Sequence, residues 1–235
     1  MAEYKTIGIL GGMGPLATVD LFDKIVRMTD AESDQEHLHI IIDNFPTIPD
    51  RTEAILRGGE SSLPMMIESA QRLQKTGAEL IVIPCNTAHY FYDGVCEAVS
   101  IPVLNMIEET AIALSEQNIT RIGLLATDGT IKTDVYRNMM DKFGIEMILP
   151  YHDERKIITH VIYQGVKAGK EVDIVPFHDV GRRMLDDGAQ TLVLACTELP
   201  PAFTQYHLDL PHVDPTLILA IAAIKAAGAK VKRPH

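Results

Sequence analysis

Cysteine is scarce in this chain, basic side chains are outnumbered, and no apolar run is long. Three cysteines among 235 residues leave at least one unpaired in any scheme, so no disulfide framework is expected. That count suits a reducing compartment and leaves thiols free for chemistry. Leu217 to Ile224, the longest apolar run, falls far short of the ~18 residues a membrane span requires. Twenty-one Lys and Arg face 32 Asp and Glu, giving a formal charge of −11 and a pI near 5.2. No basic stripe remains for nucleic acid, and a negative field repels phosphate backbones and anionic membranes. The nine histidines include no H-E-x-x-H and the cysteines no Cys-x-x-Cys, so a metal site has little support. Met1 to Lys5 runs straight into an apolar strand, with no charged n-region before a separate apolar h-region, and no signal peptide is expected. The expectation is a cytoplasmic globular protein acting on a small molecule, with no nucleic-acid or membrane partner.

What is present is core-forming material. Hydrophobic residues make up 46% of the chain and the mean hydropathy is +0.07, enough for one large domain or two of about 115 residues. Short apolar runs rich in β-branched residues recur between amphipathic stretches: 6–10, 39–43, 80–84, 103–105, 121–126, 146–149, 191–195 and 212–214. That alternation predicts parallel strands with crossover helices, an α/β fold.

The halves repeat one plan. Gly77-Ala78-Glu79-Leu80-Ile81-Val82-Ile83-Pro84-Cys85-Asn86-Thr87 aligns without a gap on Gly188-Ala189-Gln190-Thr191-Leu192-Val193-Leu194-Ala195-Cys196-Thr197-Glu198, position 77 on 188 and 85 on 196. Ile7-Gly8-Ile9-Leu10 matches Ile122-Gly123-Leu124-Leu125, and Ile101-Pro102-Val103-Leu104-Asn105 matches Leu210-Pro211-His212-Val213-Asp214. Three ordered matches at nearly one offset predict two similar lobes related by a pseudo-two-fold axis, each a parallel sheet with flanking helices. The boundary is expected near residue 115, giving lobes 1–115 and 116–235, with a crossing of the C-terminal segment to the first lobe left open. Two of the three cysteines stand at equivalent strand ends, and ligands of such sheets bind beyond the carboxyl ends of the strands. Both thiols are therefore expected in a cleft between the lobes.

Inverting a carbon that bears hydrogen needs a base on one face and an acid on the other. Cysteine serves both roles near neutral pH when its surroundings lower its pKa from about 8.5. Asn86-Thr87 and Thr197-Glu198 come directly after the cysteines at expected strand-to-helix turns, where backbone N–H groups and hydroxyls hold anions or simply cap helices.

Three motifs, Gly11-Gly12-Met13-Gly14-Pro15, Pro84-Cys85-Asn86-Thr87-Ala88-His89 and Ala195-Cys196-Thr197-Glu198-Leu199-Pro200, span nearly the whole chain. Their set resembles the aspartate/glutamate racemase family, most closely its aspartate racemases. The resemblance implies two α/β lobes around a cleft, no pyridoxal phosphate, no metal, no other cofactor, and a homodimer. It makes Cys85 and Cys196 the catalytic pair for 1,1-proton transfer at the α-carbon of L- or D-aspartate. Asn86, Thr87 and Thr197 hold the carboxylate and amine, and Met13 lies near the site. Arg51 and Lys167 resemble the family's basic residues for a side-chain carboxylate, surface charge being the plainer reading of each. Thr127, in the turn after 121–126, and Glu198 complete the expected substrate-binding set. Glutamate racemases tend to carry an Asp-Ser-Gly turn where Gly11-Gly12-Met13 stands and histidine where Glu198 stands, which favours aspartate. Glutamate stays open, because one methylene is worth only ~1–3 kcal/mol in a pocket.

Other readings weigh less. Gly12-Met13-Gly14-Pro15-Leu16-Ala17 fits G-x-G-x-x-A, and Asp43 offers a ribose contact. Yet Asp43 lies about thirty positions on rather than the usual ~20, and the second half lacks the glycines. Pro15 is instead expected to begin a helix. His89 either tunes Cys85 or is structural, Cys96 packs in a helix, and Lys225, Lys230, Lys232 and Arg233 read as a solvated tail. Two further functions compete with the racemase: an isomerase or amidase using one cysteine as nucleophile, and a sensor of acidic amino acids without catalysis.

Overall fold

The computed structural model describes residues 4–232; Met1, Ala2, Glu3 and Arg233, on which the leader and tail readings partly fall, lie outside them. The α-helices and strands run β1 Ile7–Gly11, α1 Pro15–Met28, β2 Ile40–Asn44, α2 Arg51–Leu56, α3 Leu63–Lys75, β3 Leu80–Val82, α4 Tyr92–Glu97, α5 Met106–Glu116, β4 Arg121–Ala126, α6 Asp128–Lys132, α7 Val135–Lys142, β5 Glu146–Ile148, α8 His152–His160, α9 Val175–Asp186, β6 Thr191–Ala195, α10 Leu199–Gln205, β7 His212–Val213 and α11 Pro215–Ala226. Short 3-10 turns occupy Asp34–Glu36 and Thr87–Phe91, and a π-helical turn Val161–Val166 continues α8.

The chain forms two compact units. One runs to Glu109 and resumes at Thr216; the other is Thr110–Pro215. The first holds a parallel sheet in the order β2-β1-β3, extended by a parallel bridge between Ile81 and Val103. The second holds β5-β4-β6-β7, again all parallel. Each sheet thus puts its first strand inside, its second on one edge and its third on the other side. The bridge at Val103 occupies the place that β7 takes beside β6. This is the doubled α/β plan expected from the repeats.

Burial tracks strand position. β1, β3 and β6 are buried throughout, whereas edge strands β2 and β5 are partly exposed, as expected when helices cover both faces of a parallel sheet. Strand β3 ends at Val82 rather than Pro84, since proline has no N–H to donate to a ladder. Segment 103–105 contributes one bridge instead of a strand, joined to β3 by the Ile81 N–H on Pro102 O and the Leu104 N–H on Ile81 O.

The C-terminal helix crosses back to the first unit. Leu219, Ala220, Ala223 and Ile224 of α11 are buried with Ile7, Ile9, Leu21 and Ile25. Lys225, Lys230 and Lys232 are exposed, as expected of a solvated segment, but the backbone of 230–232 is not a free tail. The Asp30 N–H donates to Lys230 O, Val231 bridges Thr29, and the Lys232 N–H donates to Met28 O at 2.7 Å. The backbone is tied to the end of α1 although the lysine side chains are polar. Among the described residues no helix is long and apolar enough to cross a membrane.

Candidate active site

In the first unit the site begins at the turn between β1 and α1. Gly11 lies so close to Thr18 that a side chain there would collide with it. Gly12 has φ +92° and the Phe45 backbone against its Cα, a conformation glycine adopts without strain. The Thr18 hydroxyl accepts the Gly12 N–H at 2.9 Å and donates to Gly14 O at 3.1 Å. Pro15 opens α1, as its position just after the glycines predicted. The loop returns Met13 to the apolar cluster that also contains Cys85.

Arg51 starts α2 behind an Asp50 cap and is buried rather than displayed as surface charge. Its guanidinium donates to the carbonyls of Ile48, Pro49 and Met13, the last at 3.1 Å. Asp43 is no ribose contact: it accepts from Ser69 Oγ and from Arg72 Nη2 at 2.8 Å, a structural ion pair.

Beyond β3 the chain turns at once. The Cys85 N–H donates to Ile83 O at 2.8 Å, and Cys85, Asn86 and Thr87 are all buried. Thr87 opens a 3-10 turn, so His89 does not share an α-helix with Cys85. The His89 ring reaches back instead. Its Nδ1 donates to Cys85 O at 2.9 Å while Nε2 accepts the Met106 N–H at 3.0 Å, an arrangement that requires the neutral imidazole. Burial lowers its pKa to about 4. Cys96 lies in α4, half-buried, its thiol pushed up by burial.

In the second unit register does the positioning. Ala126 of β4 pairs with Ala195 of β6, so Thr127 and Cys196 leave adjacent strands side by side. Thr127 caps α6 by accepting the Thr130 N–H. The Cys196 Sγ–H donates to Glu198 Oε2 at 2.9 Å, Thr197 Oγ1 donates to the same oxygen at 3.4 Å, and Lys167 Nζ lies 3.5 Å from Glu198 Oε1. Burial, then the Glu198 carboxylate, pushes the Cys196 thiol well above its ordinary value, with Lys167 opposing. Tyr136, fully buried and an electrostatic neighbour of Cys196, is likewise pushed up by burial and stays a phenol. Lys167 comes immediately after the π-helical turn, and its ammonium stands 4.9 Å from the centre of the Tyr163 ring within that turn. Such turns are rare and recur at functional sites.

The Asp/Glu/hydantoin racemase family matches residues 10–223. The chain belongs to that family. It is accordingly an isomerase of the racemase type. A broad specificity amino-acid racemase, RacX, from Bacillus subtilis is 27% identical over 226 residues, covering 93% of this chain and 96% of the relative. An aspartate racemase from Picrophilus torridus superposes with a TM-score of 0.80 at 31% identity, covering 97% of this chain and 96% of that one. A glutamate racemase from Francisella tularensis in complex with D-glutamate superposes with a TM-score of 0.65 at 21% identity, covering 95% of this chain and 81% of that one, a likeness of fold.

Within this racemase the first unit brings Met13, Arg51, Asn86, Thr87 and Cys85 to the ends of β1 and β3. The second brings Thr127, Lys167, Thr197, Glu198 and Cys196 to the ends of β4 and β6. Thr18, Tyr136 and Tyr163 were not foreseen. Thr18 had a local signal, since a threonine one turn into a helix can reach back to the glycines before it. Tyr136 and Tyr163 had none. Among the described residues no group of three or more His, Cys, Asp or Glu is placed to hold a metal ion.

Proposed function

We propose that this enzyme interconverts L- and D-aspartate, with Cys85 and Cys196 working on opposite faces of one α-carbon. One thiolate removes the α-proton while the other thiol returns a proton to the far face, and the roles exchange with direction. The reading is carried by the equivalence of the two cysteines. Each is the buried thiol just beyond the third strand of its sheet, in sheets of matching order.

A carbanion-like transition state needs fixed donors around the α-carboxylate. Asn86, Thr87 and Thr197, with the backbone N–H groups at their turns, fill that role, and Thr127 and Met13 shape the space beside them. Lys167 and Arg51 answer the side-chain carboxylate, Arg51 also through its hold on the Met13 carbonyl. The family resemblance supports a reaction without pyridoxal phosphate or metal, in a homodimer of the cytoplasm. The test is incubation of each aspartate enantiomer in deuterated water. Deuterium should enter at the α-carbon as optical rotation falls, and Cys85→Ala and Cys196→Ala should each abolish both signals. Full racemization by either variant would falsify the two-thiol reading.

A second reading is broader specificity covering glutamate and other amino acids, favoured by the similarity to the Bacillus subtilis enzyme. Polarimetry on aspartate, glutamate and alanine separates the two.

A further inference from the structure

Two anions cannot share a dry pocket cheaply. The Cys196 sulfur and the Glu198 carboxylate are both buried and 2.9 Å apart. A thiolate there beside an ionised carboxylate would place like charges in contact, which disfavours full ionisation of both. With one proton between them the pair has a single negative charge, and Lys167, 3.5 Å from the outer carboxylate oxygen, balances it.

We propose that Cys196 and Glu198 share one proton, and that Lys167 sets on which of the two it rests until a dicarboxylate substrate draws Lys167 away. Glu198, expected as a substrate contact, is in this account a positioning residue that acts through Cys196. The inference rests on the two-thiol reading and deepens it.

The geometry sets the direction of the effect. Lys167 Nζ approaches Oε1, on the carboxylate rather than the sulfur. In the free enzyme it therefore favours charge on Glu198 and the proton on Cys196. The upward push on the thiol from burial and from Glu198 agrees. The ammonium is partly exposed, with Tyr163 beneath it, so a side-chain carboxylate can reach it. Once that carboxylate shares Lys167, Glu198 loses part of its counter-charge and becomes the better proton acceptor. The Sγ–H bond breaks, the Oε2–H bond forms, and Cys196 becomes the thiolate that removes the α-proton. No proton is exchanged with solvent in this step. The remaining neighbours do not compete: Tyr136 stays neutral, and Thr197 donates to the same carboxylate oxygen as the thiol.

One consequence is that acidic side chains are selected in the chemical step as well as in binding. An amino acid without a second carboxylate leaves Lys167 on Glu198 and the proton on sulfur.

The experiment uses the full chain carrying Cys85→Ala and Cys96→Ser, in which Cys196 is the sole thiol, with succinate as probe and the ultraviolet absorbance of the thiolate as readout. Saturating succinate at neutral pH should raise that absorbance toward one thiolate per chain without net proton release. Adding Glu198→Gln should remove the rise, and a rise that persists in this variant overturns the proposal. With no internal acceptor, the added negative charge can only favour the thiol, and absorbance falls or stays flat. Adding Lys167→Met should abolish the response. Absence of succinate binding by calorimetry, or an unchanged or lowered absorbance with Glu198 intact, overturns the proposal. Deuterium exchange at the α-carbon by the wild-type enzyme is independent of this readout, so failure here is distinct from failure of the two-thiol reading.

Discussion

The imidazole of His89 joins the carbonyl of Cys85 to the first N–H of α5, donating from Nδ1 at 2.9 Å and accepting at Nε2 at 3.0 Å. The ring fixes the backbone of the first thiol and does so only while neutral.

This link makes stability depend on pH. Unfolded, His89 titrates near 6.5, and folded near 4, so the unfolded chain binds more protons in between. The stabilisation is whole above about pH 6.5 and is lost as pH falls toward 4, by about 3 kcal/mol for this shift. Urea titrations across that range should show the loss in wild type. His89→Gln should be less stable at pH 7 and flatter in the acid range.

Replacing either cysteine removes one half of the proton transfer. Positioned general acids and bases contribute typically 10²–10⁴-fold. Cys85→Ser and Cys196→Ser should lose at least that much kcat with aspartate while keeping the wild-type circular dichroism spectrum. A variant within tenfold of wild type contradicts the assignment.

Lys167→Met leaves the buried Glu198 carboxylate without its cation and removes the contact proposed for the substrate side chain. A charged hydrogen bond is worth about 1.5–3 kcal/mol, so kcat/KM for aspartate should fall by roughly one to two orders of magnitude. Alanine, if turned over at all, should be affected much less. Equal losses for both substrates would assign Lys167 a purely structural part.

The glycine turn gives a stability prediction. Thr18→Val keeps the shape but leaves the buried Gly12 N–H without an acceptor, a cost of about 1–3 kcal/mol. For a chain of this size the melting temperature should fall by about 2–4 °C per kcal/mol. Gly12→Ala should cost more, since φ +92° and the adjacent Phe45 backbone both oppose a side chain. A melt unchanged in both variants contradicts the tight packing of this loop.

The parallel α/β plan and the doubling were legible because buried parallel strands write continuous apolar runs, and the same run appears before each cysteine. Gly188-Ala189 and Gly77-Ala78 sit at equivalent turns, and β4 and β6 have the bounds their apolar residues imply. Strand ends were less legible where proline intervenes, as at Pro84 and Pro102. The destination of residues 216–232 depended on packing between distant segments, Ile224 sharing one buried cluster with Ile9, which periodicity does not encode. In the site, the strand-end residues could be found from the repeat. The Cys196–Glu198 hydrogen bond could not, because adjacent polar residues at a turn read equally well as caps. Nor could the partner of Lys167, which lies 31 positions from Glu198 and is brought to it by the break in α-helical winding at Val161–Val166.

That wide turn carries an extra residue relative to regular winding. Each residue of an α-helix advances the side chain about 100° around the axis. Excising one amino acid from 161–166 would restore ordinary winding and rotate the ammonium off the carboxylate while keeping every side chain named in the chemistry. Variation in loop length there, rather than replacement of any reactive group, is the most economical route by which a descendant of this enzyme could change the acids it accepts.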